Sequence, residues 1–144
     1  MAAPSQSFEN HAKLVPGYHY VLTLLLLVNF LWQAWRAATA FSGDTLVSLL
    51  VAVALFMIAL FARGFALGVQ DRVIRLEERM RLAELAPDLK PRLHELTIDQ
   101  VVALRFASDT EAPALARRVL DEGLTDRKAI KRMVQTWRPD HLRI

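Results

Sequence analysis

Two long uncharged segments constrain the fold of this chain more than any other feature of its sequence. Residues 18–35 and residues 45–62 each run for 18 residues without an Asp, Glu, Lys or Arg. A helix that rises ~1.5 Å per residue makes each segment about 27 Å long, close to the ~30 Å hydrocarbon core of a bilayer. The rest of this 144-residue chain is too small to bury both segments in a soluble core. The sequence therefore predicts two transmembrane helices.

A cleaved signal peptide is the alternative for the first segment. Only Lys13 supplies a basic charge ahead of it, and Trp32, Gln33 and Trp35 stand where a cleavage site needs small residues. Both points favour a transmembrane helix.

The distribution of basic residues predicts the orientation in the membrane. The connection between the two segments holds one Arg and one Asp, whereas 16 of the 18 Lys and Arg residues follow Ala62. Short loops rich in Lys and Arg stay in the cytoplasm. We therefore expect both termini in the cytoplasm and a short external loop.

A heptad stripe runs along the second segment and continues among charged residues. Apolar or small residues recur at alternating steps of three and four, the spacing of the a and d positions of a coiled coil. The predicted oligomer seam consists of Ala52, Leu55, Ala59, Ala62, Ala66, Val69, Val73, Leu76, Met80 and Ala83. The stripe predicts one helix that leaves the membrane as a cytoplasmic stalk and pairs with a partner helix along its length.

Other residues near the membrane have predicted roles of their own. Gly64 and Gly68 form a GxxxG motif that favours close helix packing, and Asn29 and Gln33 lie four residues apart as intramembrane polar groups. Headgroup contact is predicted for Arg63, Arg72 and Arg75. On the stalk, the spacing of four residues predicts helix-stabilising ion pairs between Asp71 and Arg75 and between Glu77 and Arg81.

The predicted fold class is an all-α membrane protein that ends in a small module of about three helices. In this prediction, residues 1–17 form an N-terminal cytoplasmic segment, residues 18–36 transmembrane helix 1, and residues 37–44 an external loop. Residues 45–86 form transmembrane helix 2 with the stalk, and residues 87–144 form the module. Asp44 is the predicted N-cap of the second helix. The module helices are predicted at residues 98–107, 109–122 and 125–137, opened by capping boxes at Thr97 and Ser108 and by a cap at Thr125, with Gly123 as a C′ residue. The module has too few large apolar residues to be stable alone, so we expect it to pack on the stalk or on a neighbouring copy.

The sequence offers no recognisable catalytic or cofactor motif. The four His residues show no metal-ligand spacing, the chain has no Cys, and no phosphate- or dinucleotide-binding glycine pattern occurs. We therefore expect neither an enzyme, nor a metal, a cofactor or a small-molecule substrate. The basic C-terminal region favours a solvated face beneath an anionic membrane over nucleic-acid binding.

Three stretches carry a resemblance to a known family: QDRVIRLEERMRL, LTIDQVVALRFASD and AIKRMVQTWRPDHLRI. Together with the Asn10-His11 pair and the two predicted spans, they resemble a family of small bacterial membrane proteins catalogued as a domain of unknown function. The resemblance implies a bacterial inner-membrane protein of about this size. It implies no activity, substrate or cofactor.

Three functions are compatible with these features. The leading hypothesis is a self-associating structural or scaffolding component that pairs through the second helix and its stalk. An accessory subunit of a larger membrane complex would use the same seam against a foreign helix. An oligomeric channel would place Thr23, Asn29 and Gln33 near a pore, although the spans carry no ring of charges.

Overall fold

The computed structural model describes residues 6–10 and 13–140 of the chain. A π-helical turn, Gly17–Leu22, leads into α1 (Thr23–Thr39), and the long helix α2 (Gly43–Leu85) follows. After a 3₁₀ helix, Pro87–Arg92, come α3 (Ile98–Leu104), α4 (Ala112–Asp121) and α5 (Arg127–Met133). The only β pairing among the described residues is an isolated bridge between Ala107 and Trp137. The described residues form two compact units, one of residues 13–67 and one of residues 6–10 with 68–140.

The first unit is a helical hairpin with an apolar exterior. Gly17–Thr39 and Gly43–Leu85 are both long and apolar enough to cross a membrane, judged by length and composition. No residue of α1 is buried, and most large apolar side chains of the hairpin are exposed. The two helices touch through an edge-to-face contact of Phe30 and Phe56, with ring centroids 6.1 Å apart, and through a hydrogen bond from the Tyr18 hydroxyl to the Ala59 carbonyl. This unit confirms the two predicted apolar helices.

The connection between the hairpin helices is shorter than predicted. It comprises only residues 40–42, because nothing in the preceding Ala-rich turn breaks the helix before Thr39. Asp44 is not the N-cap. The Ser42 hydroxyl accepts a hydrogen bond from the Thr45 amide at 3.2 Å, and the Thr45 hydroxyl accepts one from the Ser42 amide at 2.9 Å. This reciprocal pair caps α2, and Thr45 is buried beneath it.

The second unit has one hydrophobic core to which the end of α2 contributes. Ile74, Leu82 and Ala86 lie at spacings of four and eight residues, so they share one face of the helix. They pack with residues of the 3₁₀ segment and of all three short helices, among them Leu89, Leu93, Leu96, Val101, Leu104, Leu115, Val119 and Ile130. The three short helices therefore complete their core on α2 of their own chain.

The helix ends show which capping motifs are used. Thr97 opens α3 with a full capping box, because its hydroxyl accepts from the Gln100 amide and the Gln100 side chain accepts from the Thr97 amide. The box predicted at Ser108 is wrong: α4 begins at Ala112, and the Glu111 carboxylate instead accepts the amides of Gln135 and Thr136 at 2.8 and 2.9 Å.

The C-terminal end of α4 and the N-cap of α5 lie at or within one residue of their predicted positions. Asp126, rather than Thr125, caps α5 by accepting from the amides of Lys128 and Ala129. Gly123 has a φ of 61°, a left-handed conformation that favours glycine, and it follows α4 as predicted. The Leu124 amide donates to the Val119 carbonyl at 3.1 Å, the long bond of a Schellman motif.

Thr97→Ala is expected to lower the free energy of unfolding of the second unit by about 1 kcal/mol, because the Gln100 amide loses its acceptor. Thermal unfolding followed by circular dichroism would measure the change. Ser108→Ala is the matched control, because the Ser108 hydroxyl hydrogen-bonds the Thr110 hydroxyl and caps none of the described helices. Equal losses from the two variants would contradict this assignment of the caps.

Candidate functional site

The clearest candidate for a functional surface is an exposed apolar row on α2. This apolar row consists of Val69, Val73, Leu76 and Met80. Leu76 is 62% exposed and Met80 is 59% exposed, although both lie among charged residues. Leu76 and Met80 follow Arg63, the first charged residue after the apolar segment, by 13 and 17 residues along the chain. An apolar surface in such a place is typical of a protein contact.

The apolar row faces away from the core of its own unit. Leu76 lies two residues from both Ile74 and Glu78, which is about 160° around the helix from each. Ile74 and Glu78 are buried against the rest of the unit. The short helices therefore cover one side of this part of α2. Leu76 lies on the other side, and Val73, one residue before Ile74, lies at the edge of the covered side.

The other predicted seam residues have different surroundings. Ala52 is buried within the hairpin, Ala59 and Ala66 are half-buried, and Leu55 and Ala62 are exposed. At the far end, Ala83 is half-buried and packs against the core of the second unit. A strict heptad stripe drifts by about 20° per heptad around a straight α-helix, so it does not stay on one face of α2. The role of these residues in association stays a prediction.

The glycines and polar residues of the predicted spans also have defined places. Gly64 and Gly68 are exposed, and a Cβ atom at either position would meet no other atom within 4 Å. Among residues 6–10 and 13–140, therefore, no side chain or neighbouring helix packs closely on these glycines. Asn29 and Gln33 are half-buried in the hairpin, and the Gln33 side-chain oxygen accepts a hydrogen bond of 3.5 Å from Arg36.

Arginines line one flank of the apolar row. Arg72, Arg75 and Arg79 follow each other at spacings of three and four residues. Within the described part of the chain, neither Arg72 nor Arg75 forms an ion pair, so the predicted pair of Asp71 with Arg75 is absent. Arg79 donates to the carbonyls of His94 and Leu96 at 3.1 and 3.4 Å. Desolvation, and then the positive charge of Arg75, lower the pKa of Arg79 from its usual value.

Arg63, the third residue with a predicted headgroup contact, is half-buried in the hairpin unit. Arg63 lies near the end of the apolar segment, and its contact with lipid headgroups stays a prediction.

A buried ion network joins α2 to the C-terminal segment. Glu78 is 5% exposed, and its two carboxylate oxygens accept hydrogen bonds from Arg81 at 2.8 Å and from Arg138 at 3.2 Å. Arg81 also donates to Asp109 at 2.8 Å and to the Ala107 carbonyl at 2.7 Å. The predicted pair of Glu77 with Arg81 is therefore replaced by pairs of Arg81 with the buried Glu78 and with the exposed Asp109.

A cavity of about 660 Å³ opens beside this network. Its charged lining balances three guanidinium groups against three carboxylates, from Arg81, Arg105, Arg138, Glu77, Glu78 and Asp140. Among the described residues, no group of three or more His, Asp or Glu side chains is placed to hold a metal ion. A balanced lining of this kind selects neither an anion nor a cation.

Sequence reasoning missed the network around Glu78. Arg138 is 60 residues away along the chain, so no local spacing connects the two. One signal was present: Ile74, Glu78, Leu82 and Ala86 recur every four residues, which places a carboxylate in the middle of an apolar helix face. Such a carboxylate requires a cationic partner from elsewhere in the fold.

Comparison with known proteins identifies the family. The chain belongs to a family of unknown function (DUF6526), which it matches over residues 1–144. No curated protein and no solved structure matches it significantly. The resemblance inferred from the sequence motifs is thereby confirmed, although His11 and the final four residues of the last motif lie outside the described residues.

Proposed function

We propose that this member of a family of unknown function is a non-enzymatic integral membrane protein that self-associates through α2 and serves as a structural or scaffolding component. The observation that carries the proposal is the exposed apolar row on the far side of α2 from its own core. Residues 68–85 would form a cytoplasmic stalk, and α3 to α5 would form a module docked on it. The membrane would be the inner membrane of a bacterium.

The apolar exterior of the hairpin supports the membrane location. Large side chains such as Leu24, Leu25 and Leu60 are all at least 60% exposed. Burying such surface in lipid gains about 25 cal/mol per Å² of apolar area removed from water. The excess of Lys and Arg after Ala62 then favours an orientation with both termini in the cytoplasm.

The apolar row supports self-association because its own chain leaves it uncovered. Leu76 and Met80 lie too far along the helix from Arg63 for the hydrocarbon core to cover them. A partner helix of the same kind would bury both residues and offer the same row in return.

Leu76→Glu is expected to dissociate the assembly, because a charge at a buried pairing position costs at least about 2 kcal/mol per site through lost burial and desolvation. Light scattering of the full chain in detergent, at micromolar concentration, would show the loss of oligomeric mass. Leu76→Met, which keeps the volume, should retain it. Thr125→Glu adds the same charge at an exposed position outside the row and should also retain it.

The structure of the second unit should survive Leu76→Glu, because Leu76 makes no contribution to its core. Unchanged amide exchange in α3 would verify this. A wild-type chain that is strictly monomeric at micromolar concentration would overturn the proposal. Co-purification of unrelated subunits in a fixed ratio would favour an accessory role in a larger complex.

A further inference from the structure

Charged residues flank the apolar row in an ordered way. We assign Val73 and Met80 to heptad position a, and Val69 and Leu76 to position d. The residues on either side of the row then take positions e and g. The g positions on one flank are Arg72 and Arg79, and the e positions on the other are Gln70, Glu77 and Glu84. One flank is therefore basic and the other is acidic over two successive heptads.

The two flanks cannot neutralise each other within one chain. Arg72 and Glu77 are five residues apart, which is about 140° around the helix. Both side chains are exposed, and within the described part of the chain neither forms an ion pair, nor does Glu84. Glu77 also borders the cavity of this unit, but within the described part of the chain its carboxylate pairs with none of the guanidinium groups there. The acids and bases on this surface are thus available to a partner.

Helix direction decides whether a second copy satisfies these charges. In a parallel pair, each g residue faces the e residue five positions further along the other helix, so Arg72 meets Glu77 and Arg79 meets Glu84. In an antiparallel pair, g faces g and e faces e, which brings arginine against arginine and glutamate against glutamate. Interhelical e and g charges are known to set orientation and partner choice in this way.

We propose that the occupant of the apolar row is a second copy of this chain, parallel and in register, held by ion pairs from Arg72 of each copy to Glu77 of the other. This inference rests on the proposed function and adds the orientation, the register and the specificity-determining residues. Arg79 already donates one nitrogen to backbone carbonyls, so Arg72 and Glu77 form the principal pair. A lipid headgroup would satisfy Arg72 but would repel Glu77.

Cysteine cross-linking tests the orientation directly, because the chain contains no Cys. In native membranes under mild oxidation, Val69→Cys and Met80→Cys are each expected to form disulfide-linked dimers. Asp71→Cys, about 160° around the helix from Val69, is the matched control and should stay unlinked. An antiparallel pair would place residue 69 of one copy near residue 80 of the other, so the two single variants would not link to themselves.

Charge reversal tests the pairing. Arg72→Glu and Glu77→Arg are each expected to raise the dissociation constant about tenfold, since two attractive contacts per dimer become repulsive. The double variant Arg72→Glu/Glu77→Arg should return to within about twofold of the wild type. The yield of disulfide-linked dimer from Val69→Cys should fall with either single charge reversal and recover in the double variant.

The outcomes separate this inference from the proposed function. A monomeric wild type overturns both. A wild type that associates, but in which Val69→Cys fails to link to itself, overturns the parallel pair alone. If Arg72→Glu weakens association while Glu77→Arg does not, Arg72 serves a headgroup or another partner, and the proposed ion pair is wrong.

Discussion

Phe106→Ala is expected to lower the free energy of unfolding of the second unit by about 3–5 kcal/mol, the largest effect of any single substitution considered. The Phe106 ring is fully buried and stacks on Trp137, with centroids 4.5 Å apart. The Arg105 guanidinium lies 4.6 Å from the ring centroid and the Lys131 ammonium lies 4.9 Å from it. Alanine would leave a cavity and remove the aromatic face that both cations contact.

Chemical denaturation in detergent, followed by the fluorescence of Trp137 in a chain that carries Trp32→Phe and Trp35→Phe, would measure this loss. Phe41→Ala is the control, because Phe41 is 76% exposed in the connection between α1 and α2. It should leave the stability of the second unit unchanged within about 0.5 kcal/mol. A comparably small effect of Phe106→Ala would contradict the packing described for this ring.

Glu78→Gln is expected to destabilise the same unit by about 3 kcal/mol, because it removes the buried countercharge of Arg81. The side chains of Glu78 and Arg81 are only 7% and 12% exposed. Arg81 retains Asp109, which keeps the expected loss at the lower end of the range for buried pairs. Amide exchange in α3 and in residues 134–138 would locate the destabilisation.

The control for this prediction is Glu95→Gln. Glu95 pairs with Arg92 at the same spacing of three residues, but the two side chains are 43% and 40% exposed. Exposed pairs contribute about 0–1 kcal/mol, so this variant should change stability little. If the two substitutions cost the same, burial does not govern the strength of the Glu78 network.

The sequence predicted the features that depend on short spacings. The two apolar helices, the end of α2 before Pro87 and the capping box at Thr97 each follow from a few neighbouring residues. The false capping box at Ser108 has the same local pattern as the true one. It failed because Glu111 accepts from backbone amides more than 20 residues away, and α4 begins only at Ala112.

The candidate site was predictable only in part, for a geometric reason. Residues 69–86 carry two apolar stripes, one through Val73 and Leu76 and one through Ile74 and Leu82. Either stripe satisfies a helical period, so periodicity alone could not say which one the chain covers itself. The stripe through Ile74 and Leu82 is the covered one because it contains Glu78. A buried carboxylate needs a cationic partner, and Arg138 supplies one on that side of α2.

The core shared by α2 and the short helices has a practical consequence for dissecting the protein. The change in composition after α2 would place a fragment boundary at Pro87. A fragment starting there would lack Ile74, Leu82 and Ala86, and would expose the apolar surface that these residues cover. A water-soluble fragment suited to crystallography or nuclear magnetic resonance should instead begin near Gly68, inside the helix. In this protein the boundary between the two compact units therefore falls within an unbroken helix rather than in a linker.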